Sequence, residues 1–121
     1  MSYDVRTTPQ SEKDLRDIYE YIAFNLQAPH NAVKQINALE EKILSLSTMP
    51  ERFRRYLEEP WKSRNLRIMP VGNYLVFYIP VVEYTENESN ENGLVTILRV
   101  MYGGRDIQKQ LSQLSDFPKE K

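Results

Sequence analysis

Cysteine is absent, histidine occurs once and glycine only four times in 121 residues. Without cysteine there is no disulfide framework, no thiolate zinc site and no thiol nucleophile. The same absence fits a reducing cytoplasm. A single histidine, His30, argues against multi-histidine metal sites and against a Ser-His-Asp triad. Four glycines leave no Gly-rich loop to cradle a phosphate. The longest apolar run, Leu75–Val82, falls far short of the ~20 residues of a membrane span, and Met1–Arg6 lacks the apolar stretch of a signal peptide. The expectation is a cytoplasmic α+β domain with no metal, no nucleotide or organic cofactor and no membrane attachment.

Charge is present, and it is unevenly placed. The net charge is only -1. Between Arg52 and Arg67, however, Arg52, Arg54, Arg55, Lys62, Arg64 and Arg67 face only Glu58 and Glu59, a local charge of +4. Residues 83–92 carry Glu83, Glu86, Glu88 and Glu91 with no base. Such runs are usually solvated surface. The sharper alternative is an anion-binding face for phosphates or an acidic partner.

Along the chain, Tyr3–Thr7 alternates with a period of two, as a strand does. Ser11 and Asp14 resemble a capping box that starts a helix. Leu15, Ile18, Tyr19, Ile22 and Leu26 then share one face over about four turns. Pro29 opens a second helix with Ala32, Val33, Ile36, Leu39, Ile43 and Leu46 on one stripe, ended by Pro50. The connection is short, so the helices form an antiparallel hairpin with His30 at its corner, as a cap or surface residue. Residues Pro50–Pro60 read as irregular and basic. Arg64–Val71 reads as a strand, Gly72-Asn73 as a two-residue turn, and Tyr74–Tyr84 as a strand apolar on both faces, hence central. Pro80 predicts a bulge or an edge. Leu94–Tyr102 reads as a last strand, with Leu94, Thr96, Leu98, Val100 and Tyr102 on one face and Val95, Ile97, Arg99 and Met101 on the other. A short helix at Asp106–Leu114 precedes a flexible tail, 115–121. One domain, 1–114, is expected: an N-terminal strand, a helical hairpin and a three-stranded antiparallel meander, with the helices packed on one face of the sheet.

The stretches Thr8-Pro9 to Asp14-Leu15, Tyr21-Ile22, Leu66-Arg67-Ile68-Met69-Pro70-Val71-Gly72-Asn73-Tyr74-Leu75-Val76-Phe77-Tyr78 and Ile97-Leu98-Arg99-Val100-Met101-Tyr102-Gly103-Gly104-Arg105-Asp106 come in this order. Together they resemble the RelE/ParE superfamily of bacterial type II toxins over about Tyr3 to Leu111. The last block looks most like the ParE branch. The resemblance implies a toxin neutralised by a cognate antitoxin, with operator DNA reached only through that antitoxin. Two activities diverge within the superfamily: ParE-like members poison DNA gyrase, and RelE-like members cut mRNA on the ribosome. A degenerate member that still binds an antitoxin is a third reading.

Metal-free RNA cleavage needs a base, cations for the phosphorane and an acid for the leaving oxygen. If the chain were such a nuclease, the candidates are Arg64, Arg67, Arg99, Tyr102 and Arg105. No lysine lies in Arg64–Val71 or Leu94–Tyr102, Met101 precedes Tyr102, and Tyr74 stands where nuclease members often carry Arg. Those departures favour the ParE-like reading. Each candidate has a plainer alternative. Arg67 could be solvated or ion-paired, Arg99 needs a buried partner, Tyr102 could be a core aromatic, and Arg105-Asp106 could be a helix-capping turn. The expected partner-binding residues are Arg52, Arg54, Arg55, Trp61, Lys62 and Tyr74. Trp61 could instead anchor its loop. The antitoxin is expected in a groove between the hairpin and the sheet.

Overall fold

The computed structural model describes residues 2–83, 92–104 and 107–112. The acidic stretch, apart from its strand ends, the pair Arg105-Asp106 and the tail lie outside the described residues.

The chain opens with β1, Tyr3–Thr7, and α1, Pro9–Glu20. The cap is Thr8, three residues before the expected Ser11. Thr8 is extended, receives the Ser11 N–H at 3.1 Å and gives its own N–H to Ser11 Oγ at 2.9 Å. Ser11 is thus the third residue of the helix and not its cap, and Pro9 takes the first position, where no N–H is needed. Thr8 Oγ1 also donates to Ile97 O at 2.9 Å, which fastens the helix start to the sheet. The helical stripe does not run evenly to Leu26. Tyr21–Asn25 forms a π-helical turn closed by Leu26 N–H to Tyr21 O at 3.0 Å. The wider turn rotates the stripe, and Leu26 ends 55% exposed. A left-handed Gln27 then reverses the chain.

The second helix, α2, covers Pro29–Leu44 and runs on as a 3₁₀ turn at Ser45–Ser47. Ala32, Leu39, Ile43 and Leu46 are buried, whereas Val33 is exposed. His30 is exposed in the first turn of α2.

The sheet adds β2 (Arg67–Val71), β3 (Tyr74–Glu83) and β4 (Asn92–Tyr102), in the spatial order β1-β4-β3-β2. The last three form the antiparallel meander, and β1 lies parallel to β4 at the sheet edge. β2 begins at Arg67 and not at Arg64, because Lys62–Arg64 is a 3₁₀ turn followed by a left-handed Asn65. Gly72 has a φ of 58°, the positive value that a two-residue hairpin turn needs and a side chain resists.

Strict alternation in β4 fails at one place. Phe77 faces Arg99 while Tyr78 faces Ile97, so Leu98 is an extra residue. The bulge reverses the parity of the strand. Val95, Ile97 and Val100 face the helices with Tyr3, Leu15, Leu39, Ile43, Leu46, Met69, Val71, Val76 and Tyr78. Leu98 and Met101 join Trp61, Leu66, Ile68, Phe77 and Leu111 on the opposite face. Pro80 does not mark the bulge. It pairs with Val95 where β2 has already ended, so one side of β3 needs no donor there.

The second core is covered by the loop after Pro50 and by α3, Ile107–Ser112. That loop is more regular than its composition suggests. Ile68 N–H donates to Arg54 O at 3.0 Å and Tyr56 N–H to Leu66 O at 2.8 Å, so residues 54–56 run along the outer edge of β2. Among the described residues, no helix is long and apolar enough to cross a membrane.

Candidate functional site

Between α1 and the end of the sheet opens a cleft of about 910 Å³. One wall is helical, from Gln10, Lys13, Asp17, Ile18, Tyr21, Leu26, Asn31 and Gln35. The other comes from the β2–β3 turn and the end of β4, with Asn73, Tyr74, Val100 and Tyr102. Register fixes the second wall: Tyr74 faces Tyr102 across the β3–β4 ladder, and their rings meet edge to face at 5.9 Å. Gly103 N–H donates to Asn73 O at 2.9 Å, which ties the end of β4 to the turn. The π-helical turn supplies the opposite lip, where Tyr21 is 52% exposed; Tyr102 is 50% exposed across from it.

The floor of the cleft is an ion pair. Arg99 gives Nε to Asp14 Oδ2 at 2.7 Å and Nη2 to Asp14 Oδ1 at 3.0 Å, a two-pronged contact. Asp14 also receives the Val100 N–H at 2.9 Å and Gln10 Nε2 at 3.1 Å. Arg99 reaches Gln110 O at 3.4 Å with its last nitrogen. Both side chains are nearly buried. Arg99 therefore has the structural partner that burial requires. Lys13 and Asp17 form a second pair on the rim at 2.8 Å. The formal charges of the cleft cancel, and carboxamides, tyrosine hydroxyls and aliphatic carbon remain.

The other candidates lie elsewhere. Arg67 sits at the start of β2, four residues of strand from the turn that bears Tyr74, roughly 13 Å at ~3.3 Å per residue. Its Nη1 donates to Phe53 O at 2.8 Å and Glu51 O at 3.0 Å, and its Nη2 meets Glu51 Oε2 at 3.4 Å. Arg67 is thus ion-paired and clasps the Pro50–Phe53 turn. Tyr78 pins the same turn from below, its Oη donating to Pro50 O at 2.6 Å. Burial pushes the Tyr78 hydroxyl up to about 12. Arg52 donates to Thr48 O at 2.6 Å, Met49 O at 3.1 Å and Ser45 Oγ at 3.0 Å, and lies over the Phe53 ring at 4.7 Å. It thus braces the turn that follows the second helix. Arg64 lies 5.8 Å over the Trp61 ring, and Trp61 is buried in the second core as the anchor of its loop. Arg54, Arg55 and Lys62 are exposed. Glu59 receives the Ser63 N–H at 2.9 Å and the Ser63 hydroxyl at 2.7 Å. Those bonds hold its carboxyl below the ordinary value, which makes it a poorer base.

The structure thus brings Tyr74, Arg99 and Tyr102 together and separates them from Arg67, Arg64 and the basic loop; Arg105 is outside the described residues. Asp14 is the residue that sequence reasoning misplaced, as part of a cap. Its signal was a lone carboxylate four residues before Ile18, on the apolar stripe of α1, matched by a lone arginine in an apolar strand. Asn31 and Gln35 carried no signal, and Tyr21 and Asn73 none that placed them at a cleft, because the π turn and the hairpin bring them there. Among the described residues, no group of three or more His, Cys, Asp or Glu is placed to hold a metal ion.

The model of the family described as "ParE toxin of type II toxin-antitoxin system, parDE" matches residues 5–107, and the chain belongs to that family. A solved structure, the "Chromosomal ParDE TA system from P. aeruginosa", has a similar fold. Its TM-score is 0.61 at 16% identity, over 84% of this chain and 96% of that chain. No curated protein matches the chain. By its family, the chain is therefore a ParE-like toxin of the type II toxin–antitoxin class, and a cognate antitoxin is the partner that such a system implies.

Proposed function

We propose that this toxin acts on DNA gyrase through protein–protein contact, and that the antitoxin silences it by seating a folded-on-binding segment in the cleft between hairpin and sheet. The observation that carries the first part is the use already made of Arg99 and Arg67. Their guanidinium groups hold Asp14 and the Pro50–Phe53 turn, and a cation committed to the fold is not free to stabilise a phosphorane. Tyr102 is left edge to face with Tyr74 at the rim of the cleft, and the carboxylates of that cleft are paired with Arg99 and Lys13. The cleft supports the second part. Its charges cancel, which suits a polypeptide better than a polyanion, and its amides and tyrosines can meet backbone N–H and C=O groups. Operator DNA is then reached only through the antitoxin.

The exposure of Tyr102 favours one other reading, a ribosome-dependent mRNA endonuclease with the tyrosine as proton donor. Tyr102→Phe separates the two. It keeps the ring contact with Tyr74 and removes only the hydroxyl. In induced bacteria we expect the variant to stay toxic, with filamentation and DNA-damage signalling, and the purified chain to inhibit supercoiling by gyrase. A nuclease would lose ~100- to 1,000-fold in rate. Loss of toxicity by Tyr102→Phe, with fold and antitoxin binding intact and wild-type cells showing cleaved mRNA, would sink the gyrase reading.

A further inference from the structure

The sheet has two edges, and among the described residues only the β2 edge is covered by another stretch of chain. Residues 54–56 cover part of the β2 edge, where Ile68 N–H points outward to Arg54 O. Two residues on, Pro70 puts a residue without an N–H on the same edge, and it is exposed. β1 has neither device. Tyr3–Thr7 contains no proline and no bulge, and pairs in unbroken register from Tyr3 opposite Gly93 to Thr7 opposite Ile97. Among the described residues, the backbone of Asp4, Val5 and Arg6 has no hydrogen-bond partner other than β4. An open edge of this kind is a template for another strand.

The side chains of β1 select which strand. Tyr3 and Val5 turn toward the helices. Asp4 and Arg6 point to the other face and are exposed. Antiparallel pairing centred on Val5 sets Asp4 opposite Arg6 of a second copy, and the two-fold axis repeats the pair. A two-fold interface must be complementary to itself, and this five-residue pattern is. The adjoining face of the sheet is also incompletely covered: Val81 is 48% exposed, and Ile79 and Leu94 are half-buried on the side that bears Asp4 and Arg6.

We infer that β1 is the contact of a homodimer, joining two sheets edge to edge into one of eight strands, with two Asp4–Arg6 pairs flanking Val5. The inference goes beyond the gyrase reading and uses none of its residues. The ladder is short and the ion pairs exposed, so the dimer is a weak one at the low end of interface size.

Sedimentation equilibrium on the full chain, freed of antitoxin, tests it over a micromolar to near-millimolar range. The expected result is a monomer–dimer equilibrium. Asp4→Arg and Arg6→Asp each set like charges opposite each other twice, and each weakens association about tenfold, or ~1.4 kcal/mol. The double swap Asp4→Arg/Arg6→Asp restores it. Both positions are exposed, so melting temperatures stay unchanged. If a swap misfolds, Asp4→Asn and Arg6→Gln remove one charge from each pair and weaken association less. A monomer at every concentration overturns the inference, and so does a dimer indifferent to the swaps. Swaps that change antitoxin binding and not self-association would give the edge to the antitoxin and overturn it as well.

Discussion

Asp14 accepts from Arg99 twice, from the Val100 amide and from Gln10, so one carboxylate joins α1 to β4 across the floor of the cleft. Removing either ion alone leaves the other buried and uncompensated, which typically costs ~3–5 kcal/mol. Asp14→Ala and Arg99→Ala are therefore expected to destabilise the chain by that amount in urea unfolding. The Asp14→Leu/Arg99→Met double variant should lose less than the sum of the two single losses, because no charge is stranded. If Arg99→Ala abolishes toxicity with an unchanged unfolding midpoint, Arg99 works on the target and not on the fold. Glycine acts at the same scale in one place. Gly93 lies opposite Tyr3 across the β1–β4 ladder, and a Cβ there would run into the Tyr3 ring. The Tyr3 ring can lie over that position only because no side chain is there.

At the scale of elements, the second helix is held at its end by three residues of different origin. Arg52 bonds the Ser45 hydroxyl and the Thr48 carbonyl where the helix gives way to the next turn, while Arg67 and Tyr78 hold the Pro50–Phe53 turn against the sheet. Burial pushes the Tyr78 hydroxyl up from an ordinary 10 to about 12. An acid whose folded value is raised contributes its full stability below the unfolded value. Above about pH 10 the unfolded chain releases the proton first, and the contribution is lost as the pH rises toward about 12. Wild type is thus expected to lose stability between pH 10 and 12 beyond what Tyr78→Phe loses, while Tyr78→Phe is less stable at neutral pH by ~1–3 kcal/mol for the carbonyl left unpaired. Parallel slopes for the two proteins in denaturant titrations would refute the assignment. The elements themselves were largely legible. Period-two and helical spacings placed β1, both helices and the meander, because burial on one face writes itself into alternation. The misplacements have local causes. A single extra residue at Leu98 flips the parity of β4, and hydrophobic spacing does not register a bulge. A π turn at Tyr21–Asn25 does the same to α1. Thr8 outbid Ser11 as the cap because Pro9 follows it. The cleft was the least legible part, since its walls come from positions whose meeting depends on register.

Across the whole molecule, the basic stretch that looked uniform in sequence divides into two kinds of cation. Arg52 and Arg67 are tied to carbonyls, and Arg64 lies over Trp61. Arg54, Arg55 and Lys62 are exposed on the strip that covers the β2 edge and on the loop after it. Only the second kind is available to an anionic partner such as gyrase-bound DNA or an acidic antitoxin segment. Surface substitutions away from special features usually change stability by less than ~0.5 kcal/mol. The triple variant Arg54→Gln, Arg55→Gln and Lys62→Gln is therefore expected to melt close to wild type. Exposed charges are screened over ~8 Å at physiological salt, so the binding it loses should be largest at low salt and shrink as salt rises. Arg52→Gln is the control with the opposite pattern: it removes the bonds to Thr48 O, Met49 O and Ser45 Oγ and lowers the melting temperature by an amount equivalent to ~1 kcal/mol, with little change in the salt dependence of binding. Thermal melts beside antitoxin and gyrase binding at two salt concentrations read both. A triple variant that melts early but binds normally would make these cations part of the fold, and the basic face would then have no role in recognition.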